Sequence, residues 1–192
     1  MTAPPREDAP MPRSEIDQAR LANILDMAVG FTAMLRVFRP GSDGTIRTMV
    51  RRFLRDLADV RSREQFAPAH HAFCARFKQR IRRARDGRRA SYGHAAKILN
   101  VSLKVCVHWC GLPAPSVAAR VRPFLQVGVD TPILHYLKKH HALPIRATTI
   151  AGIGRKEYRL LQQAARAEAD ARLGPGALLI ELDDVLWREL NR

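Results

Sequence analysis

Acidic residues, cysteine and aromatic rings are all scarce in this chain, and long apolar runs are missing. Against 18 Asp and Glu stand 33 Lys and Arg, a formal net charge of +15 over 192 residues. That excess repels itself in the compact state and favours a polyanion nearby, with nucleic acid ahead of a membrane surface because phosphate neutralisation releases counterions. The three cysteines, Cys74, Cys106 and Cys110, lie in apolar helical stretches, which excludes a disulfide framework. No apolar run is long enough to span a bilayer. Residues 1–13 carry Pro4, Pro5, Pro10 and Pro12 with mixed charge and no apolar core, and so predict a flexible tail, not a secretory signal. The expected location is cytoplasmic, nucleoid-associated if the source is bacterial.

What is present is helical periodicity. Hydrophobic residues make up 46% of the chain, enough for a sizeable core in one domain. Ser14 opens a helix whose apolar positions run from Leu21 to Phe38, stopped by Pro40 and Gly41. A second helix spans about residues 45–60, with Arg47, Arg51, Arg52 and Arg55 mostly opposite its apolar face. A third starts near Arg63, with Phe66, His70, Phe73, Phe77 and Ile81 on one stripe, and runs into a basic block ended by Asp86 and Gly87. Ser91 caps a fourth, extending to about Cys110; Ser116 caps a short one; Asp130 caps another, with Pro132 in its first turn. Residues 155–172 are helical, and residues 177–190 are either helix or, at 178–182, a brief strand. The expected fold is all-α, a single helical domain of about seven or eight helices over residues 14–192, behind the tail.

Lys97, Val101 and Lys104 share one helix face next to an apolar side. A lysine at the start of a buried helix is open to desolvation, which favours the neutral, nucleophilic amine. Asp130, fixed by its own helix, is a carboxylate able to orient a nucleophile or stabilise a developing cation. Gly93-His94-Ala95-Ala96-Lys97-Ile98-Leu99-Asn100 resembles the hairpin and second helix of the helix-hairpin-helix DNA glycosylases of the endonuclease III type, whose pattern is Gly-Val-Gly-x-Lys-x-Ala. Val129-Asp130-Thr131-Pro132-Ile133 is similar to that family's Val-Asp-Thr-His-Val. The resemblance implies two all-α lobes around a cleft, within a core of about residues 91–172. It also implies base excision on DNA, with Lys97 forming a Schiff base and Asp130 as the essential carboxylate. Ala95 stands where the second hairpin glycine belongs, and the four-cysteine cluster loop is missing. The separation of 33 positions (130 − 97) is long for endonuclease III, though archaeal 8-oxoguanine glycosylases also use a long one.

Arg76, Lys78, Arg80, Arg82, Arg83, Arg85, Arg88 and Arg89 face only Asp86, and are expected to contact phosphates, positioning a backbone without reading sequence. Few aromatics interleave with them, so a single-strand stacking platform is not indicated. Gly152 and Gly154, before Lys156, form the better-placed hairpin, whose backbone N–H groups are candidates for a phosphate, with Asp183 and Asp184 as carboxylates downstream. His70 with Cys74, and Cys106 with Cys110, repeat a four-residue spacing compatible with zinc, but without a ribbon or finger signature. Buried free thiols are the plainer reading, and no metal or cofactor is expected. Ser91, His94 and Asp130 compose a hydrolase-like trio without a nucleophile elbow. Trp109 reads as core. The expected partner is nucleic acid, double-stranded DNA foremost, and no membrane. A competing reading is a non-catalytic basic adaptor, for instance of a phage-defence or mobile-element module. A third, a membrane-surface protein, rests on the second helix alone.

Overall fold

The computed structural model describes residues 13–30 and 33–190; the expected tail (residue 13 apart) and Phe31 lie outside them. Eight α-helices follow one another: α1 (Arg13–Gly30), α2 (Ser42–Asp56), α3 (Arg63–Arg80), α4 (Tyr92–Leu103), α5 (Pro115–Val121), α6 (Thr131–His140), α7 (Arg155–Leu173) and α8 (Leu179–Leu190). Among the described residues extended pairing is limited to two isolated bridges, Phe38 with Arg83 and Arg82 with Arg89. The fold is all-α, and the ambiguous stretch at 178–182 belongs to α8. No described helix is long and apolar enough to cross a membrane.

α4 is the central element. Every one of its residues except Lys97 and Val101 is buried, and it packs on α1, α2, α3 and α7. Its start is fixed reciprocally: Ser91 Oγ accepts from the His94 N–H at 3.1 Å, and the His94 imidazole accepts from the Ser91 N–H at 3.1 Å. This is a capping box with histidine in the place usually held by Glu or Gln. Gly93 is glycine for lack of room, since an added Cβ would sit 2.3 Å from the Ile150 carbonyl oxygen. In its absence the Gly93 N–H reaches the Ile153 carbonyl at 3.0 Å, and the turn before α7 closes over the start of α4. One continuous hydrophobic core then runs from Leu25 to Leu186.

Three expectations need correction. α1 stops at Gly30, and Phe38 reaches the core from extended backbone instead of from the helix. Ser14, expected as a cap, lies inside α1, and Ser116 lies inside α5, which starts at Pro115 after Ala114. α3 ends at Arg80, so the basic block is not one helix. Beyond it the Ile81 carbonyl accepts from Ala90 N–H at 2.9 Å and the Arg82 carbonyl from Arg39 N–H at 3.0 Å. The chain reverses at Gly87, whose φ of 65° suits a residue without a side chain. A helix through residues 76–89 would have stacked like charges turn upon turn; the reversal splays them. The fourth helix does extend to about Cys110 as expected, since α4 runs without a break into a π-helical turn, Lys104–Trp109, marked by the five-residue bond from Cys110 N–H to the Val105 carbonyl at 3.0 Å.

Candidate functional site

The extended segment 126–130 passes between α4 and α7 and is held residue by residue. Asn100 donates from Nδ2 to the Val127 carbonyl at 2.9 Å and to Tyr158 Oη at 2.7 Å, and Tyr158 in turn donates to Gln126 Oε1 at 2.7 Å. Gln162 accepts from the Val127 N–H at 3.0 Å and donates to its carbonyl at 2.9 Å. With the Asn100 amide nitrogen so committed, its Oδ1 must accept from His70 Nε2, 2.9 Å away. That fixes the imidazole as the Nε2–H tautomer, with Nδ1 facing the Cys74 thiol at 3.8 Å. Burial pushes the His70 pKa down to about 4, so the ring is neutral at pH 7.

This segment delivers Asp130 to Lys97. Asp130 Oδ1 caps α6 by accepting from Ile133 N–H at 3.0 Å, and Oδ2 lies 3.5 Å from Lys97 Nζ. The contact is an ion pair too long for a strong hydrogen bond. The Lys97 side chain remains 19% exposed, so its amine is reachable from outside. The two residues singled out in the sequence therefore meet, although 33 positions separate them (130 − 97).

Beside them is a second, deeper charge cluster that the sequence did not announce. Lys104 Nζ lies 2.6 Å from Asp183 Oδ2 and 2.8 Å from Asp184 Oδ1. Asp183 Oδ1 accepts from the Gly128 N–H at 2.8 Å, and His108 Nε2 lies 3.3 Å from Asp184 Oδ2. Burial pushes the Asp183 carboxyl above its ordinary value, against the pull of Lys104 and the Gly128 N–H. The Lys104 ammonium also lies 5.3 Å from the Trp109 ring centre and 6.0 Å from that of Trp187, within cation–π reach of both. Trp109, expected in the core, is 53% exposed, and Trp187 is 45% exposed. Lys97, Lys104, Asp130, Asp183 and the two tryptophans line one cleft of about 80 Å³, room for two or three waters at roughly 30 Å³ each.

Asp183 and Asp184 serve Lys104 and not the turn at 150–154. In that turn the Gly152 N–H donates to Thr149 and the Gly154 N–H to the Glu157 carboxylate. Those N–H groups are thus occupied inside the protein, with a carboxylate where a phosphate was expected; Lys156 is exposed. Arg76, Lys78, Arg80, Arg82, Arg85, Arg88 and Arg89 are exposed, while Arg83 is half-buried and tied to Asp86, its Nε donating at 3.0 Å. Ser91 and His94 are engaged in capping, apart from the Asp130–Lys97 pair. Among the described residues no three His, Cys, Asp or Glu gather as a metal site requires; burial holds the Cys74 and Cys106 thiols near 12. Comparison of the chain with protein-family models, with curated proteins and with solved structures finds no match.

Proposed function

We propose that this protein binds nucleic acid, double-stranded DNA foremost, and acts on it as a DNA glycosylase/lyase through Lys97 and Asp130. The observation that carries this reading is the 3.5 Å approach of a reachable amine to a rigidly held carboxylate at a cleft mouth flanked by two exposed tryptophans. Asp130, as the carboxylate, stabilises positive charge at C1′ of a deoxyribose while the base leaves with its bonding pair and a proton, and it takes a proton from the Lys97 ammonium so that the freed amine attacks C1′. The C1′–O4′ bond then breaks, O4′ keeping the pair and taking the proton that the new C1′–N bond sheds, and the Schiff base results. The orientation of Asp130 is set in advance by the α6 cap and the clamp on segment 126–130. A cleft of about 80 Å³ does not admit a nucleotide whole, so the sugar meets Lys97 at the rim, where the indole rings offer stacking to a displaced base. Strand phosphates are held by the exposed arginine side chains, because the turn N–H groups are occupied.

The non-catalytic adaptor is the second reading, favoured by the closure of the turn at 150–154 over the start of α4, which removes a backbone phosphate cradle from the Lys97 helix. Borohydride trapping on duplexes carrying an abasic site, uracil or 8-oxoguanine separates the two. The expected result is a covalent adduct absent in Lys97→Ala and reduced about 100-fold in Asp130→Asn. An adduct persisting in Lys97→Ala moves the nucleophile elsewhere, and salt-sensitive binding with no adduct on any duplex selects the adaptor.

A further inference from the structure

A larger depression, of about 500 Å³, shares no lining residue with the Lys97 cleft. Three helices and the clamped segment build it: His71 from α3, Tyr92 from α4, Arg155, Lys156 and Arg159 from α7, and Gln126. No carboxylate lines it. The nearest acid in sequence, Glu157, is turned to the Gly154 N–H. Arg155, Lys156 and Arg159 are exposed, fall within five residues of one helix and all line this depression. The positive field is felt by His71, whose pKa is lowered first by burial and then by Arg155 and by Lys78. His71 Nδ1 is a buried atom with no hydrogen-bond partner, and its ring stacks on Tyr92 with centres 5.8 Å apart at 28°. The wall behind is rigid, because the Tyr158, Gln162 and His70 side chains that form it all belong to the network around Asn100 and Val127.

We infer that this depression is a binding site for a phosphate monoester attached to a nucleoside, either a free nucleotide or the 5′-phosphorylated end of a strand. Charge density selects the monoester: it carries about −1.5 to −2 at pH 7, against about −1 for each diester of a continuous backbone. Guanidinium groups four residues apart lie one turn from each other and match its oxygens in pairs. His71, part-exposed and backed by the buried Tyr92 ring, lines the site and is the side chain placed to meet the base, and the volume falls in the range of small-ligand sites, about 300–1,000 Å³. The contact surface for backbone diesters is elsewhere, on the splayed arginines beyond α3. The site stands whether or not Lys97 is a nucleophile.

The test is a binding titration of the full chain with two short single strands that differ only in a 5′-phosphate or 5′-hydroxyl, with dAMP as competitor. The phosphorylated strand should bind about tenfold more tightly, as one or two charge-assisted contacts provide. That preference should vanish in Arg155→Ala/Arg159→Ala, whose side chains are exposed and whose loss leaves the fold intact by circular dichroism. It should survive Arg82→Ala/Arg85→Ala, which weakens both strands together. Competition by dAMP assigns the site to nucleotides at large; a preference that dAMP does not erase assigns it to strand ends. Equal affinity for the two strands with no binding of dAMP overturns the inference, as does a preference that outlives the Arg155/Arg159 double variant.

Discussion

Lys97 of α4 and Lys104 of the π-helical turn that continues it, about two turns apart, hold opposite stations. Lys97 is part-exposed in a 3.5 Å pair, whereas Lys104 is 5% exposed between two carboxylates. Asp130 is buried, but without Lys97 it keeps its hydrogen bond from the Ile133 N–H, whereas loss of Lys104 strands two carboxylates at once. Lys97→Ala should therefore lower the unfolding free energy by roughly 1–2 kcal/mol, and Lys104→Ala should lower it by roughly 3–5 kcal/mol. Denaturant titration measures both, and equal losses would refute the division of labour. Gly93→Ala belongs to the same scale. Its methyl group collides with backbone, the Ile150 carbonyl oxygen, and not with a flexible side-chain end. The expected loss is roughly 1–3 kcal/mol, the usual cost of overpacking, read from the same titration.

At the scale of elements, the network around segment 126–130 links packing to the site. Asn100→Ala leaves the His70 Nε2–H and the Tyr158 hydroxyl short of a partner and frees one of the two clamps on Val127. It should cost roughly 1–3 kcal/mol and lower adduct yield in the trapping assay, while Gln162 still holds the segment; an unchanged yield would show that Asp130 is positioned by its α6 cap alone. Much of this level was legible in the sequence. The α3 stripe of Phe66, His70, Phe73 and Phe77 is buried as its spacing predicts, and the Asp130 cap is where its residue type puts it. The end of α3 was not legible, because Arg and Lys are good helix formers and what stops the helix is pairing of Ile81 and Arg82 with Ala90 and Arg39, a tertiary event. The Lys104 cluster was missed for a similar reason. Its carboxylates lie 79 and 80 positions downstream (183 − 104 and 184 − 104), on a helix whose local pattern names no partner. The local signal was a pair of adjacent acids, Asp183 and Asp184, set between Leu182 and Val185 in a largely apolar stretch.

For the whole molecule, a net charge of +15 requires that the proposed duplex binding weaken with salt. The slope of log affinity against log salt should flatten by about 0.9 for each phosphate that is no longer neutralised. Reversing Arg82, Arg85 and Arg88 to Glu is expected to flatten it by roughly 2–3; an unchanged slope would place the duplex on another face. Stability as a whole should depend on pH through the buried imidazoles. His70 and His94 are each lowered from 6.5 to about 4, burial being the largest cause. Below pH 6.5 the unfolded chain takes up protons that the folded chain refuses until about pH 4. Stability is therefore full above that window and falls as pH drops through it. In His70→Gln the slope of unfolding free energy against pH across this range should drop by about one proton.

The chain has two tryptophans, and both stand over Lys104 at the mouth of the Lys97 cleft. Its intrinsic indole emission is accordingly a signal from one place. Stacking on either ring, or loss of the ammonium between the rings, should change the light of the entire protein, whereas the depression beside α7 is lined by neither tryptophan. The molecule thus carries its own unlabelled optical probe, able to report by wavelength and quenching on whatever reaches the cleft at Lys97 and Lys104.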